Sequence, residues 1–256
     1  MKIQVLGAHN IESRECKCVS LVIDNILAID AGALTSGLSL SAQQNLKAVL
    51  LTHQHYDHIR DIPILGMNFR LHDNTINVYS IQPVYEALST HLLNDILYPN
   101  FIENPAEKPT IQFKILRAGE TESINGYTVL TVPMNHTVPT VGYQITSSDS
   151  KSVFYTADTG PGLTECWRRV SPDLLIIEVT TISKYNDFAR ESGHLTPNLL
   201  QQELESFREI KGYLPRIVLV HMNPLDEKGI ETEIATVAGA LNTTIQLGKE
   251  GMQIEV

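Results

Sequence analysis

Cysteine is scarce and odd in number. Cys16, Cys18 and Cys166 are the only three, with no C-x-x-C spacing, which fits free thiols in a reducing compartment and excludes a disulfide framework. Basic residues are also in short supply. Nineteen Lys and Arg stand against 29 Asp and Glu, a formal net charge of −10, so a broad surface for large nucleic acids is not expected. No apolar run approaches the roughly 18 residues that a membrane helix needs. The opening Met1-Lys2-Ile3-Gln4-Val5-Leu6-Gly7 alternates like a strand and lacks the apolar centre of a secretory leader. A cytoplasmic location without a membrane partner is the expectation. No internal repeat, low-complexity stretch or linker interrupts the 256 residues, of which 43% are hydrophobic. One domain over residues 1–256 with a large core is expected.

What is present in quantity is histidine at one place. Thr52-His53-Gln54-His55-Tyr56-Asp57-His58 holds three of the nine histidines and follows the apolar run Ala48-Val49-Leu50-Leu51, a buried strand by pattern. Imidazole and carboxylate are the ligands of hydrolytically open zinc sites. His53 and His55, two apart, share one direction in extended chain, and Asp57 and His58 turn into a second. Four more polar residues lie just beyond or at the ends of apolar strands: His136 after Val129–Val132, Asp158 after Val153–Tyr155, Glu178 closing Leu174–Ile177, and His221 after Ile217–Val220. Singly each is unremarkable. Together with the His cluster they make a ligand set of the size that a two-metal site requires. His53, His55 and His136 are assigned to one ion, Asp57, His58 and His221 to the other, and Asp158 to both. Asp30, on the turn Asp30-Ala31-Gly32, reads equally as the carboxylate that orients a ligand histidine or as a turn residue capping the next segment.

The remaining pattern is α/β. Strands are expected at Lys2–Leu6, Val19–Asp24, Ile26–Asp30, Thr75–Ser80, Ile111–Leu116, Tyr127–Val132, Val141–Thr146, Val153–Tyr155, Leu174–Val179, Arg216–Val220, Thr244–Leu247 and Gln253–Val256. Helices are expected at Leu38–Leu46, Pro83–Leu97, near Glu231–Leu241, and from Thr196, a good N-cap with proline next, along Leu200, Leu204 and Phe207. Pro63 limits the regularity of the helical pattern that follows His58. Sheets packed together with helices outside are the coarse expectation.

At this point the sequence resembles the metallo-β-lactamase superfamily over nearly its full length. The resemblance implies an αβ/βα four-layer sandwich with a dinuclear site at one edge. Tyr155-Thr156-Ala157-Asp158-Thr159-Gly160-Pro161, Trp167, Ser192-Gly193-His194-Leu195-Thr196-Pro197 and His221-Met222-Asn223-Pro224 are similar to class-II cyclic-nucleotide phosphodiesterases. Glu178 followed by His194 resembles ribonuclease Z, where such a pair serves the leaving group. The family likeness implies two divalent cations, Zn2+ first with Mn2+ or Fe as substitutes, and a small nucleotide substrate. It implies hydrolysis of a 3′,5′-cyclic nucleotide to a nucleoside monophosphate, with a homodimer as the assembly. Asp57 would orient or deprotonate the attacking water, and His194, paired with Glu178, would protonate the leaving oxygen. Departures from the pattern are Tyr56, which would reshape the substrate pocket, Ala157 in place of glycine, and a first loop, Gly7-Ala8-His9-Asn10, without a glycine run. His9, His72 and His91 lie outside every ligand position, and His9 alone could approach substrate. The nearest rival is ribonuclease Z itself, whose tRNA-gripping arm lies between the counterparts of His136 and Asp158. Here 22 positions separate those residues, enough only for strand, turn and strand. Other hydrolases of the fold would leave Glu178 and His194 without a task.

Overall fold

Apolar runs without alternation, such as Ala48–Leu50 and Leu174–Ile177, suit strands buried on both faces. In the computed structural model, which describes residues 1–256, they sit inside two seven-stranded sheets. The first sheet contains β1 (Lys2–Gly7), β2 (Ser20–Ile23), β3 (Leu27–Ile29), β4 (Ala48–Leu50), β5 (Ile76–Ser80) and β6 (Ile111–Ile115). The second contains β7 (Thr121–Ile124), β8 (Tyr127–Pro133), β9 (Val141–Thr146), β10 (Ser152–Tyr155), β11 (Leu174–Glu178), β12 (Arg216–Val220) and β13 (Ile245–Leu247). The last strand, β14 (Gln253–Glu255), returns to pair with β1 at the edge of the first sheet. The spatial orders are β14-β1-β2-β3-β4-β5-β6 and β13-β12-β11-β10-β9-β8-β7.

Both sheets are mixed in the same way. β3 to β6 are parallel, as are β10 to β13, and antiparallel pairs complete each sheet. Helices flank the pair, which is the expected αβ/βα sandwich. One apolar cluster of 68 buried residues runs from Ile3 to Ile254. The helix Pro197–Lys211 shows how the outer layer is built. Thr196 caps it by accepting from Leu199 N, and Leu199, Leu200, Leu204 and Phe207 are buried.

Some local expectations change. The helix expected at Leu38–Leu46 is the shorter Leu40–Asn45, starting at the Ser39 N-cap, and a separate helical turn, Leu34–Gly37, precedes it. The helical pattern after His58 is interrupted as expected: Tyr56–Ile59 ends ahead of Pro63, which falls in the first turn of a second helix, Ile62–Arg70, where its missing N–H costs nothing. The helix from residue 82 widens after Ala87 and ends at Leu92, short of Leu97. β7 and the helices Thr164–Arg169 and Asn186–Ser192 carry weak sequence signals. β7 is a mostly exposed edge strand without an apolar face, and the two helices have only six and seven residues.

The sheets are stitched together at one end by polar bonds. Tyr143 donates its hydroxyl to Leu51 O at 2.6 Å, and Tyr155 donates to Asp30 Oδ2 at 3.1 Å. Behind the second sheet, the buried Glu203 carboxylate accepts from Gly162 N at 2.6 Å, Leu163 N at 3.1 Å and Trp167 Nε1 at 3.0 Å. It thereby ties the helix Pro197–Lys211 to the loop that follows Asp158. Removing it strands three donors, each worth about 1–3 kcal/mol when buried and unpaired. Glu203→Ala should therefore lower unfolding stability by roughly 3 kcal/mol or more, read as a lower urea midpoint. An unchanged midpoint would show that water replaces the carboxylate freely.

Candidate metal centre

The polar residues singled out at the strand ends converge on one point between the two sheets. β4 runs into extended chain that carries His53 and His55, and the short helix Tyr56–Ile59 then turns Asp57 and His58 inward. β8, β10 and β12 deliver His136, Asp158 and His221 from the second sheet. Three of the turns use left-handed backbone at residues other than glycine: Asp30 (φ 56°), Ala157 (φ 60°) and His221 (φ 64°). Such conformations cost energy unless the surroundings enforce them, and they cluster at functional sites.

The donor atoms form three groups, each compact enough to hold a metal ion: His53, His55, His136 and Asp158; Asp57, His58 and His221; and Asp158, His194 and His221. Asp158 joins them. Its Oδ2 lies 3.6 Å from His53 Nε2, 3.9 Å from His136 Nε2 and 3.3 Å from His221 Nε2, and its Oδ1 lies 3.4 Å from His58 Nε2. Asp57 Oδ2 is 3.4 Å from both His58 Nε2 and His221 Nε2.

The residues present fit divalent cations. His53 Nε2, His58 Nε2 and Asp158 Oδ1 are buried without any hydrogen-bond partner, which polar atoms tolerate only when something else binds them. The opposite edge of four of the rings is held in the manner of metal-ligating histidines. Thr52 Oγ1 meets His53 Nδ1 at 3.0 Å, and His58 Nδ1 meets Asp30 Oδ2 at 2.8 Å. His136 Nδ1 donates to Gly193 O at 2.8 Å, and Thr180 Oγ1 meets His221 Nδ1 at 2.9 Å. Gly193 is in the left-handed region (φ 72°), and a Cβ there would lie 2.8 Å from His136 Nδ1, so only glycine brings this carbonyl so close.

Asp30, open to two readings in sequence, is the partner of His58. It also accepts from Thr52 N at 2.9 Å and is fully buried. Glu178 and His194 are brought together as well, Nδ1 to Oε1 at 2.7 Å. The His194 ring stacks on His221 at 5.3 Å. Thr52, Tyr155, Thr180 and the Gly193 carbonyl were not legible beforehand, because a hydroxyl or carbonyl next to a strand end carries no distinctive pattern. Tyr56 projects from the helix with 65% of its surface exposed. His9 is buried between Glu250 (2.7 Å) and Glu227 (3.6 Å). His72 and His91 stay outside the cluster on exposed helix ends.

Charge at the cluster is set by burial against close carboxylates. Burial disfavours charged His58, but Asp158 and Asp30 outweigh it and raise its pKa well above the ordinary value. Burial and the charge of His58 hold His53 well below it. Burial likewise opposes charged His194, yet Glu178 pushes its pKa up to about 9. Burial would raise Asp57, but bonds from His221 and His58 hold it far below the usual carboxylate range.

The sequence profile described as the beta-lactamase superfamily domain matches residues 25–222, a span that contains every one of the donors above. The chain belongs to the beta-lactamase superfamily. Among curated relatives of this superfamily member, a 3′,5′-cyclic-nucleotide phosphodiesterase of Aliivibrio fischeri is 24% identical over 231 residues, covering 73% of this chain and 68% of the relative. A ribonuclease Z of Acaryochloris marina is 27% identical over 170 residues, covering 61% of this chain and only 51% of the relative. The crystal structure of unliganded yeast PDE1 has the same fold, with a TM-score of 0.84 at 15% identity, covering 100% of this chain and 99% of that one. The fold and the His/Asp cluster together make this a divalent-metal site and the chain a hydrolase of that fold. No helix is long and apolar enough to cross a membrane.

Two outcomes follow from the geometry. Cations bind deprotonated imidazole, so metal uptake at pH 7 must expel the proton that His58 retains. Calorimetric titration with Zn2+ in buffers of different ionisation enthalpy should show proton release, and heats independent of the buffer would contradict it. Asp30→Ala removes the acceptor that orients His58, and metal affinity should fall about 10–100-fold in competition with a chromophoric chelator.

Proposed function

We propose that this protein is a dinuclear-metal phosphodiesterase that hydrolyses 3′,5′-cyclic nucleotides to nucleoside monophosphates. The observation that carries the reading is the Glu178–His194 pair set beside the cluster. A metal site alone serves many hydrolyses, whereas a held proton serves one in which an alkoxide leaves. Two divalent cations, Zn2+ by ligand type, would be held by His53, His55 and His136, by Asp57, His58 and His221, and by Asp158 between them, and when bound would supply Lewis acidity and an acidified water.

The chain's own residues do the rest. Asp57, ionised and 31% exposed in its side chain, orients the attacking water, whose proton would be released to solvent once a bound cation acidifies it. The water oxygen forms a bond to phosphorus as the bond to O3′ breaks. The departing oxygen takes a proton from His194. Nδ1 of that ring is engaged by Glu178, which leaves Nε2 as the donor. Glu178 is itself fixed by Thr159 N at 3.0 Å and Thr180 Oγ1 at 2.9 Å, so the acid is held in orientation before substrate arrives. The curated phosphodiesterase relative and the fold of yeast PDE1 support this substrate class. For the ribonuclease Z alternative, the segment between His136 and Asp158 is filled by the β9–β10 pair, and the surplus of acidic residues disfavours a long RNA.

A screen of purine and pyrimidine 3′,5′-cyclic nucleotides beside bis(p-nitrophenyl) phosphate and a precursor tRNA tests the reading. Turnover of cyclic nucleotides is expected, and turnover of the tRNA alone would overturn it. His194→Ala should lower kcat on cyclic nucleotides about 10²–10⁴-fold with metal content intact. The acid works while protonated, so kcat should decline as pH rises through about 9. In Glu178→Gln the raising charge is lost, and the decline should move toward the ordinary histidine range. A profile unmoved by that change would remove the pair from the mechanism.

A further inference from the structure

A cavity of about 660 Å³ opens beside the metal centre, lined mostly by residues without a part in it. Thr180 belongs to both, lining the cavity while its Oγ1 lies 2.9 Å from His221 Nδ1 and 3.3 Å from His194 Nδ1. Whatever fills the cavity therefore sits next to the reacting end of the site. Its walls are of two kinds. Tyr185, Phe188 and Leu225 line it with apolar surface left 43%, 62% and 89% exposed, and flat aromatic and aliphatic faces of this sort accept a planar heterocycle by stacking.

The polar wall carries one carboxylate, Asp226, beside Asn10, Thr180, Thr181 and Asn223. Asp226 accepts from Thr181 Oγ1 at 2.6 Å through Oδ2, and no cation pairs with its carboxylate. An ionised carboxylate can only accept, so a heterocycle placed against it must offer donors. Guanine presents N1–H beside its N2 amino group, two adjacent donors that match one carboxylate. Adenine and cytosine set their amino donor beside a ring nitrogen with a lone pair, and uracil flanks its single N–H with carbonyl oxygens. Each of these would force acceptors against a carboxylate.

We propose that this cavity is the nucleobase pocket, with Phe188 and Tyr185 stacking the base and Asp226 selecting guanine. The assignment rests on the phosphodiesterase reading and adds the base preference to it. The five-membered ring of the nucleoside spans the step from the base, held among residues 181–188 and 223–226, to the phosphate beside His221 and His194.

Steady-state kinetics with cyclic GMP and cyclic AMP test it in the metal-loaded enzyme. The wild type should favour cyclic GMP by at least about tenfold in kcat/KM, the size of one bidentate base contact. In Asp226→Asn, a substitution of nearly equal shape, that preference should fall to about one, with the loss seen mainly in KM for cyclic GMP. Phe188→Ser, at an exposed position where folding is not at stake, should raise KM for both nucleotides. Equal use of the two nucleotides by the wild type, or an unchanged ratio in Asp226→Asn, overturns the pocket assignment while leaving the phosphodiesterase reading in place. Failure to hydrolyse either nucleotide, with bis(p-nitrophenyl) phosphate still turned over, overturns the cyclic-nucleotide reading itself.

Discussion

A single buried carboxylate governs the arrangement at the strand ends. Asp158 is 2% exposed and faces His53, His58, His136 and His221 from opposite sides. Its pKa is held far below the usual range, because the charges of His221 and His58 outweigh the cost of burial. A charge so deeply placed is stable only while its partners stay put. The left-handed Ala157 before it, the Gly160 N–H bonded to Asn135 O at 2.6 Å and the Glu203 anchor behind the following loop all serve that placement. Divalent cations between Asp158 and the rings would satisfy the orphaned nitrogens and remove the like-charge problem among the imidazoles together.

Around that carboxylate, support comes in short polar chains and not from the apolar core. Asp30 links Thr52, His58 and Tyr155, so one carboxylate joins a strand end of the first sheet to β10 of the second. Thr180 plays the corresponding part on the other side. It touches His221, Glu178 and His194, coupling a metal-side ring to the acid that would serve the leaving group. It also lines the neighbouring cavity. Cavity wall, Glu178–His194 pair and metal-side ring thus share one side chain.

Much of this was legible in the sequence because the ligands follow long apolar strands, and strand ends on a rigid sheet are where such groups are held. The order of His53 to His58, His136, Asp158 and His221 therefore translated directly into a cluster. The supporting shell was less legible. Thr52, Thr180 and Gly193 contribute a hydroxyl or a carbonyl, and nothing in a one-dimensional pattern separates them from other loop residues. Asp30 could be narrowed to two roles, and only the 2.8 Å contact with His58 decides between them. β7 escaped notice because an edge strand with three exposed residues in succession shows no apolar alternation. Pro63 limits the helical pattern after His58 as expected, but only the structure shows that the break falls at Arg60 and Asp61, which leaves the proline in a first turn.

The claim on which the rest depends is that one carboxylate bridges two cation positions. Elemental analysis of the purified protein and of Asp158→Ala, after equilibration with Zn2+ and removal of excess by gel filtration, tests it most directly. The account predicts about two metals per chain in the wild type and a loss at both positions in the variant. A wild type holding a single ion, or a variant that still retains two, would contradict it.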